Sequence, residues 1–126
     1  MVTKIELLAK IEKITIKQMY DNDPDYSYLE QEGFENKLKA FENGDFFYIG
    51  IKAEAEIITS YDGKNWLINK ITSGGLWGIE SNSGEDYLEE VRLEEERELK
   101  DILLKFGFDA GEIEDALSES ETTTDY

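Results

Sequence analysis

The feature that most constrains the fold is an alternation of apolar and polar residues over 49–57. The positions on one side of this alternation are Ile49, Ile51, Ala53, Ala55 and Ile57, and those between them include Lys52, Glu54 and Glu56. A period of two is that of a β-strand with one buried face. The turn sequence YDGK follows, and then the apolar stretch NWLINKIT. Segments 47–59 and 65–72 are therefore predicted to pair as antiparallel strands.

Two further strands are predicted on either side of this hairpin. The stretch IEKITIKQMY (11–20) alternates, and GLWGIE (75–80) follows the bend SGG. The preceding segment TKIELLAKI could instead form a short helix begun by a capping box of Thr3 and Glu6. Together these segments predict an antiparallel meander of three to four strands.

Three segments have helical periodicity. Residues 34–44 place Phe34, Leu38 and Phe41 on one face and end at Gly44. Residues 84–106 carry an apolar stripe that should pack on the sheet. The stripe comprises Leu88, Val91, Leu99, Ile102 and Phe106. Residues 109–117 are predicted to form a short final helix.

The ends of the two later helices have capping signals. Ser83 and Asp86 could form a capping box, and Asp109 with Glu112 could cap the final helix. Gly107 and Phe108 predict a Schellman stop, with Phe108 packing near Leu103. The predicted fold is α+β: a single domain over 1–118, in which the meander packs against the long helix, and a flexible acidic tail over 119–126.

The charge of the chain is extreme and uneven. Its 126 residues include 30 Asp and Glu against 13 Lys and Arg, a net charge of −17. Residues 1–79 hold 13 acids and 9 bases, and residues 80–126 hold 17 acids and 4 bases. A small domain needs a net charge of only about 2–8 for solubility. Such a field repels nucleic acid and anionic membranes and attracts basic surfaces, so we expect neither direct nucleic-acid binding nor membrane binding.

The sequence argues against an enzyme. The chain has no His and no Cys, so it offers no imidazole base, no thiol nucleophile and neither of the usual soft metal ligands. The glycine-rich stretch SGGLWGIESNSG runs from strand to strand and is followed by carboxylates, which would repel phosphate. We expect no cofactor and no metal. The absence of a signal peptide and of a long apolar stretch favours a cytoplasmic protein.

The loop DNDPDYSYLEQE (21–32) partly matches a calcium-binding loop. Asp21, Asp23, Asp25 and Glu32 match positions 1, 3, 5 and 12 of an EF-hand loop, but Tyr26 stands at position 6, where that loop requires Gly. We interpret it as an exposed loop whose Tyr26, Tyr28 and Leu29 fold back onto the sheet. Because Tyr gives contact area at low entropic cost, Tyr26 and Tyr28 are also candidate partner-binding residues.

The long helix carries the main candidate site. Its segment EDYLEEVRLEEERELKD (85–101) holds nine carboxylates and three cations. Arg92 can reach Glu89 and Glu96, Lys100 can reach Glu96, and Arg97 can reach Asp101, as on any solvated helix face. A second set, which we call the acidic row, has four-residue spacing and Asp101 beside it. The acidic row comprises Asp86, Glu90, Glu94 and Glu98, and Glu85 and Glu89 are further candidate contacts.

Like charges four apart destabilise a helix by roughly 0.2–0.5 kcal/mol per pair. The row is therefore either one part of a solvated surface or a surface that a basic partner recognises. Glu95 is a separate question, because it falls inside the apolar stripe. We expect Lys52, Lys70 or a Tyr hydroxyl to pair with it.

A small, strongly acidic chain without catalytic residues resembles the phage- and plasmid-encoded inhibitors of host defence, the anti-restriction and anti-CRISPR proteins. The phrases DNDPDYSYLE and TSGGLWGIES also look like those of bacterial and mobile-element proteins. The resemblance lies in overall character, so it transfers no functional residue. It implies a DNA mimic that occupies the basic surface of a nuclease or of a restriction or CRISPR effector. The alternative is an acidic protein–protein adaptor or structural module.

Overall fold

The computed structural model describes residues 7–126, which form a five-stranded sheet with helices on both of its faces. The strands are β1 (Leu8–Tyr20), β2 (Tyr48–Ser60), β3 (Leu67–Thr72), β4 (Leu76–Glu80) and β5 (Glu121–Asp125). The helices are α1 (Glu35–Glu42), α2 (Glu85–Lys105) and α3 (Ala110–Ser118), with a 3-10 turn at Ser27–Glu30. The predicted α+β class is confirmed.

The predicted hairpin is confirmed, with β2 and β3 antiparallel from Glu54↔Thr72 to Thr59↔Leu67. The sheet order is β3-β2-β1-β5. The third strand of the expected meander does not pair with β3. Instead β4 pairs with the first part of β2, from Tyr48↔Glu80 to Ile51↔Leu76, because β2 is 13 residues long and β3 uses only its second half.

The chain departs from the sequence-based prediction at both of its ends. Strand β1 starts at Leu8, so residues 8–10 are extended rather than helical, while the suggested capping box at Thr3 and Glu6 lies outside the described residues. The predicted flexible tail is wrong for residues 121–125. They form β5, parallel to β1 from Thr15↔Glu121 to Met19↔Asp125.

The alternation in β2 separates the two faces of the sheet. The helix face carries Ile49, Ile51, Ala53, Ala55 and Ile57, packed with Val91, Leu99 and Leu103 of α2 and Ile113 of α3. The neighbouring Tyr48 points to the opposite face, which we call the open face. There Tyr48 packs with Leu29 and Phe46 under α1. Helix α1 and helix α2 therefore lie on opposite faces of the sheet.

Farther along β2, the open face has no helix over it within residues 7–126 and carries ion pairs instead. Lys17 Nζ lies 2.7 Å from a carboxylate oxygen of Glu54, and Lys13 Nζ lies 3.5 Å from one of Glu56. Burial raises the pKa of Glu54, but the hydrogen bond from Lys17 and the charges of Lys17, Lys70 and Lys52 together outweigh it, and the pKa is lowered. Polar side chains thus make this half of the sheet stable in water.

The helix ends follow the predicted capping in part. The Schellman stop is confirmed, since the Phe108 amide donates to Leu103 O at 3.1 Å and Gly107, at φ +97°, donates to Leu104 O. The Asp109 side chain caps α3 through the amides of Gly111 and Glu112. At the start of α2 the predicted capping box is wrong, because Gly84 is the N-cap and the Ser83 hydroxyl donates to Glu80 O.

Two residues of the predicted helix packing have other roles. Phe106, assigned to the stripe of α2, is 69% exposed, and Leu103 is fully buried in its place. Glu112, predicted to cap α3, accepts a hydrogen bond from the Ile11 amide of β1 at 2.9 Å, so it fixes α3 to the sheet. None of the helices within residues 7–126 combines the length and the apolar character that a membrane crossing requires.

Candidate functional site

The acidic row lies on the exposed surface of α2. Asp86, Glu90, Glu94 and Glu98 are all solvent-exposed, and so is Asp101 beside them. A helix rises about 1.5 Å per residue, so the row extends over about 18 Å. Each four-residue step advances about 40° around the axis, and the row curves along one flank of the helix. The buried side of α2 is formed by Val91, Glu95, Leu99 and Leu103.

The position of this flank is fixed by Glu98. Its Oε1 atom accepts a hydrogen bond from the Gly74 amide at 3.0 Å, so the row borders the connection between β3 and β4. This is the one row residue whose side chain has a role in the fold within the described part of the chain. The other three project into solvent.

Two of the four cations of α2, Arg92 and Lys100, lie on its other flank, which faces α3 and β5, whereas Arg97 and Lys105 lie on the flank of the row. Arg92 forms ion pairs with Glu89 and, at 2.5 Å, with Glu96, and Lys100 pairs with Glu114 of α3. The predicted Arg92 pairs are confirmed, while Lys100 reaches Glu114 rather than Glu96, and the predicted pair of Arg97 with Asp101 is not formed in the described part of the chain. Burial raises the pKa of Glu96 despite the adjacent Arg92.

The carboxylates on the two flanks of α2 therefore differ in their ion pairing. No member of the acidic row makes an ion pair with another residue between 7 and 126. Of the other candidate contacts on α2, Glu89 is neutralised by Arg92, and Glu85 borders a shallow cavity with Arg92, Gln18 and Thr122. The row is thus the set of exposed carboxylates on α2 that a basic surface could pair with directly.

The two tyrosines proposed as partner contacts are on the other side of the molecule. Tyr28 is half-buried, with its hydroxyl 2.6 Å from that of Tyr48 and 3.4 Å from Glu80. Burial and the Tyr48 hydrogen bond raise the pKa of Tyr28. Tyr26 packs against Phe41 with the two ring centres 5.0 Å apart and the ring planes tilted by 42°, and Tyr26 remains 44% exposed. Because this loop covers the open face, one flat partner surface cannot contact both the loop and the acidic row.

Glu95 has partners other than the predicted lysines. It is 7% exposed, and its Oε1 atom accepts from the Ser73 hydroxyl at 2.8 Å and from the Gly75 amide at 2.7 Å. Lys70 instead lies 3.9 Å from Glu54 on the open face. The sequence feature that could have indicated these partners is the SGG bend, which supplies a hydroxyl and backbone amides at the end of β3. Glu95 is thus a structural residue that joins α2 to this bend.

The acidic loop does not gather its carboxylates around one point. Asp21 accepts from the amides of Asp23 and Gly78, and Asp25 accepts from Ser27. Among residues 7–126, no three or more acidic side chains are grouped as ligands of a metal ion would be. The loop carboxylates stabilise backbone turns.

Comparisons with models of protein families, with curated proteins and with solved structures found no match to this chain.

Proposed function

We propose that this protein acts by binding, as a DNA mimic that inhibits a nucleic-acid-handling enzyme of a host defence system. The observation that carries the proposal is the acidic row of α2, whose carboxylates are exposed and lack cationic partners among residues 7–126. Arg92 and Lys100 are paired on the other flank of the same helix, and Arg97, which lies beside the row, forms no ion pair with it within residues 7–126. This flank therefore presents a net negative charge to a partner.

The spacing of this charge suits a phosphate-binding groove. Residues 85–101 carry nine acids and three bases, a net −6 over a segment about 24 Å long. This is about one charge per 4 Å, and one strand of B-DNA presents about one per 3.4 Å. A groove lined with Lys and Arg for a DNA backbone would meet a similar density of negative charge on α2.

Packing and hydrogen bonds hold α2 rigidly on the rest of the protein. Its buried side is anchored by Leu99 and Leu103, both fully buried, and by the hydrogen bonds of Glu95. The Schellman stop at Gly107 and the Lys100–Glu114 pair fix its second half against α3. A ligand that is already ordered loses little conformational entropy on binding, which favours affinity.

A second candidate function, the protein–protein adaptor, is favoured by a different surface. At one end of the open face Leu8, Trp66 and Ile68 are 47%, 39% and 63% exposed. Apolar side chains grouped on a surface mark possible protein contacts. An adaptor that used this patch would bind chiefly through apolar burial.

The salt dependence of binding distinguishes the two functions. We expect this protein to bind a restriction or CRISPR nuclease with an association rate that falls at least about tenfold between 50 and 300 mM NaCl, because screening shortens the reach of exposed charges. Surface plasmon resonance against a panel of such nucleases measures this rate. Complexes whose association rate does not change with salt would contradict DNA mimicry and favour the adaptor.

A further inference from the structure

Trp77 occupies an unusual position on the open face. Its side chain is 45% exposed, although the six-membered ring lies directly over Gly50 of β2. A methyl group added at Gly50 would overlap that ring, and one added at Gly75 would lie 3.0 Å from the indole nitrogen. The two glycines thus form a seat for an indole that keeps nearly half of its surface in solvent.

A bulge in β4 holds the indole in this seat. Between the pairs Ile51↔Leu76 and Ile49↔Ile79, the two residues Trp77 and Gly78 lie opposite Gly50 alone. Gly78 has φ +72°, and its amide donates to Asp21 Oδ2 at 3.0 Å. Asp21 is 8% exposed, so a buried carboxylate fixes the backbone next to the exposed ring.

The exposed side of this seat is one wall of an open cavity of about 550 Å³. The lining residues are Met19, Tyr20, Asp21, Asn22, Asp23, Trp77 and Asp125. They come from the end of β1, the loop after it, β4 and the end of β5. The volume is within the range of small-ligand sites, roughly 300–1,000 Å³. The wall combines an indole, a thioether and three carboxylates, with no cationic side chain in the lining.

Trp66, the other tryptophan, illustrates that an exposed indole in this protein attracts a cationic group. Lys10 Nζ lies 5.1 Å from the ring centre of Trp66, and no second cation–π contact occurs among residues 7–126. An indole face attracts cations within about 6 Å through its quadrupole. Trp77 presents the same type of ring beside Asp23 and Asp125, which add a negative field.

We propose that this cavity binds an organic cation, the guanidinium or ammonium group at the end of an arginine or lysine side chain or of a free polyamine. Trp77 contacts the flat or alkyl part of the ligand, and Asp23 and Asp125 contact the charged nitrogens. The cavity is on the open face and the acidic row is on the helix face, so this site is independent of the DNA-mimic function. Each of the two can fail without the other.

The test is a titration of the indole Nε1–H signals in ¹⁵N–¹H NMR spectra at low salt. The probe is N-acetyl-arginine amide, with the neutral isostere N-acetyl-citrulline amide as its control. We expect a saturable shift of the Trp77 signal with a Kd on the order of 1 mM for the arginine probe only. The Trp66 signal, already next to Lys10, serves as an internal reference and is assigned with Trp66→Phe.

A variant tests the carboxylates without disturbing the buried Asp21. The double change Asp23→Asn and Asp125→Asn should weaken arginine binding about tenfold and leave the rest of the spectrum unchanged. Spermidine in place of arginine reveals whether a free polyamine binds more tightly than a side chain. Equal shifts with citrulline, no shift at about 50 mM arginine probe, or wild-type affinity in the double variant would each overturn the proposal.

Discussion

Neutralising the acidic row will abolish inhibition while leaving the fold intact. In the variant D86N/E90Q/E94Q/E98Q, we expect affinity for the target enzyme to fall roughly 10²- to 10³-fold, because each lost carboxylate removes about 1 kcal/mol of interaction with a basic groove. The loss should be mainly in the association rate, since exposed charges act chiefly on encounter. Enzyme inhibition and surface plasmon resonance measure the two quantities.

The fold should tolerate these changes. Three repulsive pairs disappear, which stabilises α2 by about 0.6–1.5 kcal/mol. Glu98→Gln keeps the oxygen that accepts from the Gly74 amide. A urea denaturation curve should therefore show a midpoint at least as high as that of the wild-type protein.

A matched control separates the row from bulk charge. The variant E30Q/E32Q/E42Q/D45N also removes four negative charges from the net −17, at exposed positions in and around α1 on the other side of the sheet. It should retain inhibition within about threefold, because distant charges are screened over a Debye length of about 8–10 Å. Equal losses in the two variants would show that total charge, rather than the row, determines binding.

Replacing Glu95 will produce the second large effect, on stability. Glu95→Ala leaves the Ser73 hydroxyl and the Gly75 amide without their acceptor and opens a cavity under α2. We expect the free energy of unfolding to fall by about 3 kcal/mol. A domain of this size has a total stability of only about 5–15 kcal/mol, so the loss would be conspicuous in urea denaturation at neutral pH.

Glu95→Gln is the control for this effect. The Gln side chain keeps an oxygen at the position of Oε1, which already accepts both hydrogen bonds, so the variant should lose only about 1 kcal/mol. If the two variants are equally destabilised, the charge of Glu95 matters rather than its acceptor atom. Such a result would show that the hydrogen bonds from the SGG bend do not anchor α2.

The parts of the fold that were predictable depend on local patterns. The alternation over 49–57 predicted β2 and its buried face, because side chains on a strand alternate whatever it packs against. Gly107 and Asp109 predicted the end of α2 and the start of α3, because caps depend on residues within one turn. The acidic row was predictable for the same reason, since four-residue spacing places side chains on one flank of any helix.

The same alternation could have excluded one expected partner of Glu95. Lys52 lies between Ile51 and Ala53, both of which face α2, so its side chain must point to the open face. Since α2 covers the helix face, Lys52 could not reach Glu95. The prediction of this pair was wrong because opposite charges can pair only when their side chains lie on the same face of the sheet.

The parts that were not predictable depend on long-range contacts. The segment ETTTD has no apolar face of its own and forms β5 because α3 returns the chain to the exposed edge of β1. Glu112 bonds to Ile11, which is 101 residues away. The Trp77 cavity likewise needs β1, β4 and β5 to meet, which sequence spacing alone does not reveal.

The measurement that tests DNA mimicry most directly is competition between this protein and duplex DNA for one target nuclease. A labelled duplex bound to the nuclease is titrated with the protein, and the titration is repeated at several DNA concentrations. If α2 occupies the DNA groove, the duplex will be fully displaced and the apparent dissociation constant of the protein will rise linearly with DNA. A stable ternary complex of nuclease, duplex and protein, with the DNA still in place, would contradict the account.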